Sequence, residues 1–441
     1  MDNVKQENDF FGTERISKIL LKIAPPVMLA QLIQALYNIV DSYFVGGYSA
    51  DALTALSVIF PVQLLIVALA VGTGVGVNTF MARLYAFQKR KEAEKTAGTG
   101  MVLSIITWAI FALISALLMR TYVMTSAKSP MAVDYAVTYG RIVCIGSLGI
   151  FLEGNWSKVH QAKGNMRLPM IAQIVGAVVN MILDPILIFG LGPIPELGVA
   201  GAGLATVLGQ IAAAVLTFKG GAYQPPKLDE IKEYIVQIYK LGYPSILMQA
   251  LYTVYIVLLN MILAGFSDSA VTVLGLYYKM QSFFFIPLLG LQTCIVPVLS
   301  YNYAQQSYGR CKKVMLESFA ISTMFMILGF VSFVFFPNQL IALFSESAEV
   351  FTIGRIAFPI IGSSFFSATF SLIMPVFFQA IGNGRVSVLL SLTRQIFCLL
   401  PIFWAFSLIG LNYTWLSFPI SETIAGALGL LLYYKQTKVW S

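Results

Sequence analysis

Residues 161–167 read QAKGNMR and residues 379–385 read QAIGNGR, the same phrase 218 positions later. With that offset held constant, Pro26 meets Pro244, Gln31 meets Gln249 and Tyr37 meets Tyr255. Thr54 meets Thr272, Gln63 meets Gln281, Gly72 meets Gly290, and YAFQ at 85–88 meets YAQQ at 303–306. One ungapped offset over so much of a 441-residue chain marks a duplication. Long charge-free runs fill both copies: 23–40, 52–82, 96–119 and 197–218 in the first, 241–267, 318–345 and 356–384 in the second. Five more apolar segments carry only isolated charges. About 20 apolar residues cross a bilayer core, so the count is twelve crossings, six per copy.

Hydrophobic residues make up 58% of the chain and charged residues 11%, against about 25% charged in a soluble domain. Lipid is therefore the solvent for most of this surface. An even number of crossings gives both copies the same orientation, related by an axis along the membrane normal. Such parallel repeats point to a transporter with its substrate path between the halves. The expected fold is an all-α integral membrane protein: twelve transmembrane helices in two pseudo-symmetric six-helix bundles. The expected divisions are an N-lobe at 1–220, a cytoplasmic linker at 221–234 and a C-lobe at 235–441.

The net charge of +8 invites a nucleic-acid reading, but the positions of the charges argue for topology. A cytoplasmic N-terminus puts 22 of the 28 Lys and Arg inside and leaves Arg120, Lys128 and Arg355 outside, so both termini are expected in the cytoplasm. No nucleic-acid partner is expected. One His and four Cys without CxxC spacing offer neither a soft-ligand metal centre nor a disulfide scaffold. The opening MDNVKQENDFF lacks the character of a cleavable signal. No nucleophile–base pair lies within the crossings, so no enzyme is expected.

A charge in the hydrocarbon costs at least about 2.5–3.5 kcal/mol and needs a reason. Gln34, Tyr37, Asn38 and Asp41 fall at i, i+3, i+4 and i+7, one stripe of helix 1. The competing reading is an interfacial Asp41 at a helix end, anchored by Tyr43. Gly176, Asn180 and Asp184 share a face at successive i+4 steps, with Gly176 admitting a close neighbour helix. Pro185 leaves the Met181 carbonyl without its helical partner. Amide, carboxylate and carbonyl oxygens suit Na⁺, and the acid alone suits a proton. Glu153 is a third acid of this half, with Arg141 three turns earlier on what reads as the same helix; a structural charge network competes with coupling there. In the second half Lys279, Arg394 and Glu422 read as structural if paired. His160 is expected at the cytoplasmic surface without a role. Gln34, Tyr37 and Asn38, with Gln281, Lys279 and Arg394, are the expected lining of the substrate cavity.

The repeat sharpens this reading. Asp41 maps to Leu259, Glu153 to Ser371, Asn180 to Cys398 and Asp184 to Ile402. The fold is duplicated and the acids are not, so ion coupling is expected in the N-lobe alone.

The strings ALYNIVDSYFVGG (35–47), FLEGNWSKVHQAKGN (151–165), NMILDPILIFG (180–190) and GVAGAGLAT (198–206) resemble the multidrug and toxic compound extrusion family. So do GLYYKMQSFFFIPLLGL (275–291), SLTRQIFCLLPIF (391–403) and WLSFPISE (415–422), and the resemblance covers nearly the whole chain. It implies two six-helix lobes around a V-shaped cavity and a bacterial inner, or plasma, membrane. It also implies Na⁺- or H⁺-driven export of amphipathic organic cations. Carried over by residue, the family's cation site falls on Asp41, Asn180 and Asp184, with Thr206 as a fourth oxygen; Glu153 matches an acid of related bacterial members. The branch with acids on helices 7 and 10 differs, because neither 241–267 nor 356–384 holds an acid. The expected function is antiport by alternating access in a self-sufficient monomer, with no cofactor beyond the coupling ion. The alternative is a flippase for lipids or lipid-linked precursors, which needs a cationic cavity.

Overall fold

The computed structural model describes residues 10–124, 129–343 and 347–440, where every regular element is a helix. The first copy contains α1 (Ile16–Tyr48), α2 (Ala50–Ala86), α3 (Arg90–Met124), α4 (Pro130–Gly146), α5 (Leu148–Ala162), α6 (Arg167–Phe189) and α7 (Val199–Phe218). The second contains α8 (Leu228–Ala264), α9 (Asp268–Ala304), α10 (Tyr308–Phe335), α11 (Pro337–Ala342), α12 (Ala348–Gly362), α13 (Phe365–Ala380) and α14 (Gly384–Leu392). A π-helical stretch, Thr393–Leu399, then leads to α15 (Leu400–Ser407), α16 (Leu411–Thr414) and α17 (Ser417–Lys438). Ten of the described spans are long and apolar enough to cross a bilayer, and two bent pairs, α4 with α5 and α12 with α13, bring the number to twelve.

The duplication reaches into the backbone. Gln88 and Gln306, 218 residues apart, are the non-glycine positions of positive φ among the described residues, at 58° and 56°. Gly164 and Gly382 repeat the pattern at 85° and 88°. Ser49 and Ser267 cap α2 and α9, each side chain accepting from the N–H three residues on. The bends also repeat, at 41° and 55°. At each break a serine hydroxyl turns back on its own helix, Ser147 to the Cys144 carbonyl at 2.7 Å and Ser364 to the Ile361 carbonyl at 2.6 Å. Such back-bonding competes with the helical ladder and favours a bend there. Arg141 and Glu153 consequently stand on different helices, α4 and α5, rather than on one.

α3 shows what solvent these helices are built for. Its buried face carries Thr96, Gly98, Thr99, Gly100, Ser104 and Ser115, while Ile106, Ile110, Leu113 and Leu117 are exposed. Small and polar residues face the protein and large aliphatic ones face out, the arrangement expected in lipid.

Two compact units divide the chain, one built from Pro25–Gln249 and the other from Glu14–Ala24 with Ala250–Ser441. The seam therefore falls inside α8, not in the expected linker at 221–234. Residues from Leu228 onward already belong to α8, which continues unbroken to Ala264. Its first turns are fastened to the first unit. Lys95 pairs with Glu230 at 2.5 Å, and a Cβ on Gly76 would strike the Ile238 carbonyl. In the second unit, Arg310 donates to the Glu14 carbonyl at 2.7 Å and Ser17 donates to Glu317 at 3.0 Å, which holds the start of α1.

Candidate functional site

The site is built on α6 and α7, which pack closely along their length. Their closeness comes from two glycines that face each other. A Cβ on Gly176 would sit 2.8 Å from the Gly209 carbonyl, and one on Gly209 would sit 2.6 Å from the Gly176 carbonyl. One turn further along α6, this contact brings Asn180 against Thr206. The Asn180 amide, oriented so that both ends are satisfied, donates to Asp184 Oδ2 at 3.2 Å and accepts from the Thr206 N–H at 3.1 Å. Thr206 Oγ1 donates to the Ala202 carbonyl at 3.1 Å. The amide thus turns N–H, not oxygen, toward the carboxylate, which subtracts one ligand from the oxygen set expected for Na⁺.

Asp41 arrives from α1, its carboxyl group adjoining that of Asp184 within hydrogen-bonding reach. α1 continues to Tyr48, two turns beyond Asp41, so this acid is not at a helix end. Asp184 has no exposed surface and Asp41 keeps 8%. Asp41 Oδ1 is buried without a protein partner. Tyr37 lies close enough to feel both acids. α4 adds Tyr139, 1% exposed, whose hydroxyl accepts from Gln63 at 3.1 Å and lies within reach of Thr206. Neither Tyr139 nor Gly209 was expected from sequence. Gln63 was visible only as one half of the Gln63–Gln281 repeat match.

The remaining expected residues are scattered. Gln34 is exposed, and the side chain of Asn38 lies outside the described residues. Glu153 stands apart from the pair: it accepts from Ser157 at 2.5 Å and lies within reach of Gln173. Arg141 does not neutralise it, since that guanidinium is exposed and its described contact is the Ala116 carbonyl at 3.5 Å. His160 is not on the surface but 5% exposed, with Nε2 3.1 Å from the Thr217 carbonyl.

In the second half Arg394 and Glu422 close on each other through Nε at 2.8 and 3.0 Å and through Nη2 at 2.8 Å. Ser371 donates to the same carboxylate. Arg394 is therefore committed to Glu422 rather than free to line a cavity, while Gln281 is half-buried and Lys279 exposed. Counting back 218 residues, Arg394 occupies the position of Gly176 and Glu422 that of Leu204. The first half presents unneutralised acids where the second presents a self-neutralised pair.

A duplicated, membrane-spanning helical chain with two adjoining buried acids in one copy and a buried ion pair in the other belongs to the class of transporters. The sequence pattern that defines the MatE family matches residues 26–186 and again 244–404, two matches that begin and end 218 residues apart. The chain belongs to this family; it is a multi-pass membrane transporter, not an enzyme. Among curated relatives it is 23% identical over 437 residues to an FAD transporter of Shewanella oneidensis, covering 96% of this chain and 95% of that one. It is 24% identical over 438 residues to the multidrug export protein MepA of Staphylococcus saprophyticus, at the same coverage. A solved MOP superfamily transporter from Pyrococcus furiosus shares the fold at a TM-score of 0.90 and 24% identity, over 99% of this chain and 98% of that one. An outward-facing multidrug resistance MATE transporter does so at 0.90 and 24%, over 97% of each chain.

Proposed function

We propose that this protein is a plasma-membrane efflux antiporter that exports amphipathic organic cations in exchange for protons by alternating access. It works as a monomer with both termini in the cytoplasm. One observation carries the reading: Asp41 and Asp184 adjoin inside the first unit, and neither forms an ion pair with a described residue. Two neighbouring buried carboxylates need a proton or a cation between them. A proton and a cationic drug therefore compete for one negative centre, and that competition is exchange. Protonation on the outward side releases the drug; loss of the proton on the cytoplasmic side restores the charge that attracts the next. A membrane potential adds about 2.3 kcal/mol per charge per 100 mV.

Na⁺ in place of H⁺ is the second version. Asp41 Oδ1 supports it, while the orientation of the Asn180 amide counts against it. The likeness to multidrug exporters such as MepA supports drug-like substrates. A flippase is not favoured, because Glu422 occupies the Arg394 on which a phosphate-binding cavity would rely. In proteoliposomes, Asp41→Asn or Asp184→Asn is expected to abolish ethidium export driven by an imposed pH gradient. Wild-type rates in either variant would remove this mechanism, and a response to a Na⁺ gradient alone would exchange the ion.

A further inference from the structure

Glu153 is half-buried on α5, and the Asp41–Asp184 pair does not use it. Its neighbours are polar in a directed way. On α5, Glu153, Ser157 and Gln161 follow at i+4 steps, with Ser157 donating to Glu153 at 2.5 Å and Lys158 donating to Gln161 at 2.9 Å. On α6, Asp184, Asn180 and Gln173 lie along one stripe, and Gln173 reaches Glu153. The two stripes meet at that contact, near the turn that joins α5 to α6. At 1.5 Å per residue, the eleven residues from Asp184 to Gln173 span about 16 Å.

The second copy shows that packing does not require this polarity. Asn155 maps to Ile373, Ser157 to Pro375, Lys158 to Val376 and His160 to Phe378, so α13 folds with these four positions apolar, while Glu153 and Gln161 map to Ser371 and Gln379, which stay polar. Asn155, moreover, is fully buried with neither end of its amide bonded to protein. This half of α5 therefore surrounds polar groups that the protein leaves unsatisfied, the setting in which buried water is found. Lys158, on the same helix, is the charged group acting on Glu153. From α2, α3, α6 and α7, which pack against α5, the group within its reach is the uncharged Gln173.

We propose that Glu153 is the relay through which protons pass between the Asp41–Asp184 pair and the cytoplasm. The O–H bond of the pair breaks, the proton crosses to the Glu153 end of the α6 stripe through water, each water forming one O–H bond as it gives up another, and the last forms at the Glu153 carboxylate. Glu153 then gives that proton up to water on the Ser157 face of α5, which carries it to the cytoplasm beside Lys163 and Arg167; the carboxylate is left anionic and the total charge is unchanged. This inference rests on the antiport reading above. Glu153 is a relay residue, not part of the drug site, so its loss slows proton movement without altering drug binding.

The test is ethidium-dependent proton flux in proteoliposomes with a lumenal pH dye, read beside ethidium affinity of the purified protein. Glu153→Gln is expected to lower the flux by about tenfold or more while affinity stays within about twofold. Glu153→Asp, which restores an ionisable group, is expected to recover a substantial part of the flux, and it decides the matter should Glu153→Gln fail to fold. Flux in Glu153→Gln within about twofold of wild type, or Glu153→Asp as slow as Glu153→Gln, would overturn the relay. If wild type and Asp184→Asn behave as expected, only the relay falls. If wild type shows no ethidium-coupled proton flux, the antiport reading falls with it.

Discussion

Asp184 is held by what surrounds it: Asn180 donates from one turn below, Asp41 adjoins from α1, and Tyr139 sits behind Thr206. The Tyr139 hydroxyl matters because it is buried and joins Gln63 to the Thr206 side of the site. Tyr139→Phe removes that link and strands the Gln63 amide, at a cost of about 1 kcal/mol. Thermal unfolding in detergent should therefore change little while ethidium export falls severalfold; unchanged export would remove Tyr139 from the site. At this scale much was legible in sequence. The i+4 spacing of Asn180 and Asp184 places them on one face whatever packs against them. Tyr139 was not, since nothing in its local sequence says which helix α4 will meet, and its repeat mate is Ala357.

Among elements, the contact of α6 with α7 depends on bare backbone. Gly209→Val puts side-chain atoms into the Gly176 carbonyl. Overpacking of this kind costs about 1–3 kcal/mol and spreads Asn180 from Thr206, so both melting temperature and export should fall. A melting temperature equal to wild type would show that the helices separate freely. The Arg394–Glu422 pair makes the opposite case. With side chains 11% and 9% exposed, removing one partner strands a buried charge. Arg394→Ala is expected to cost about 3–5 kcal/mol, whereas joint replacement by apolar residues of similar volume is close to neutral. Equal melting temperatures for single and double variants would refute the pairing. The two residues lie 28 apart on separate elements, which is why sequence could name them but not match them.

For the whole molecule, orientation is the testable property. Single cysteines in a cysteine-free background report it, read with a membrane-impermeant maleimide. Lys227→Cys and Lys312→Cys should label only when the cytoplasmic face is open to the reagent, and Leu191→Cys only from outside. The reverse pattern would invert the topology and with it the direction of the proposed export.

Solvent, copy number and the absence of repeat mates for Asp41 and Asp184 were all readable from residue type and spacing, because the bilayer demands long apolar runs and a duplication keeps its frame. Burial of His160, pairing of Arg394 with Glu422, the separation of Arg141 from Glu153 by a bend, and the shift of the seam into α8 were not. Each depends on which helix lies beside which. Side chains far apart in sequence acquire a partner only when the helices pack, and that choice is made by close contacts such as Gly176 on Gly209.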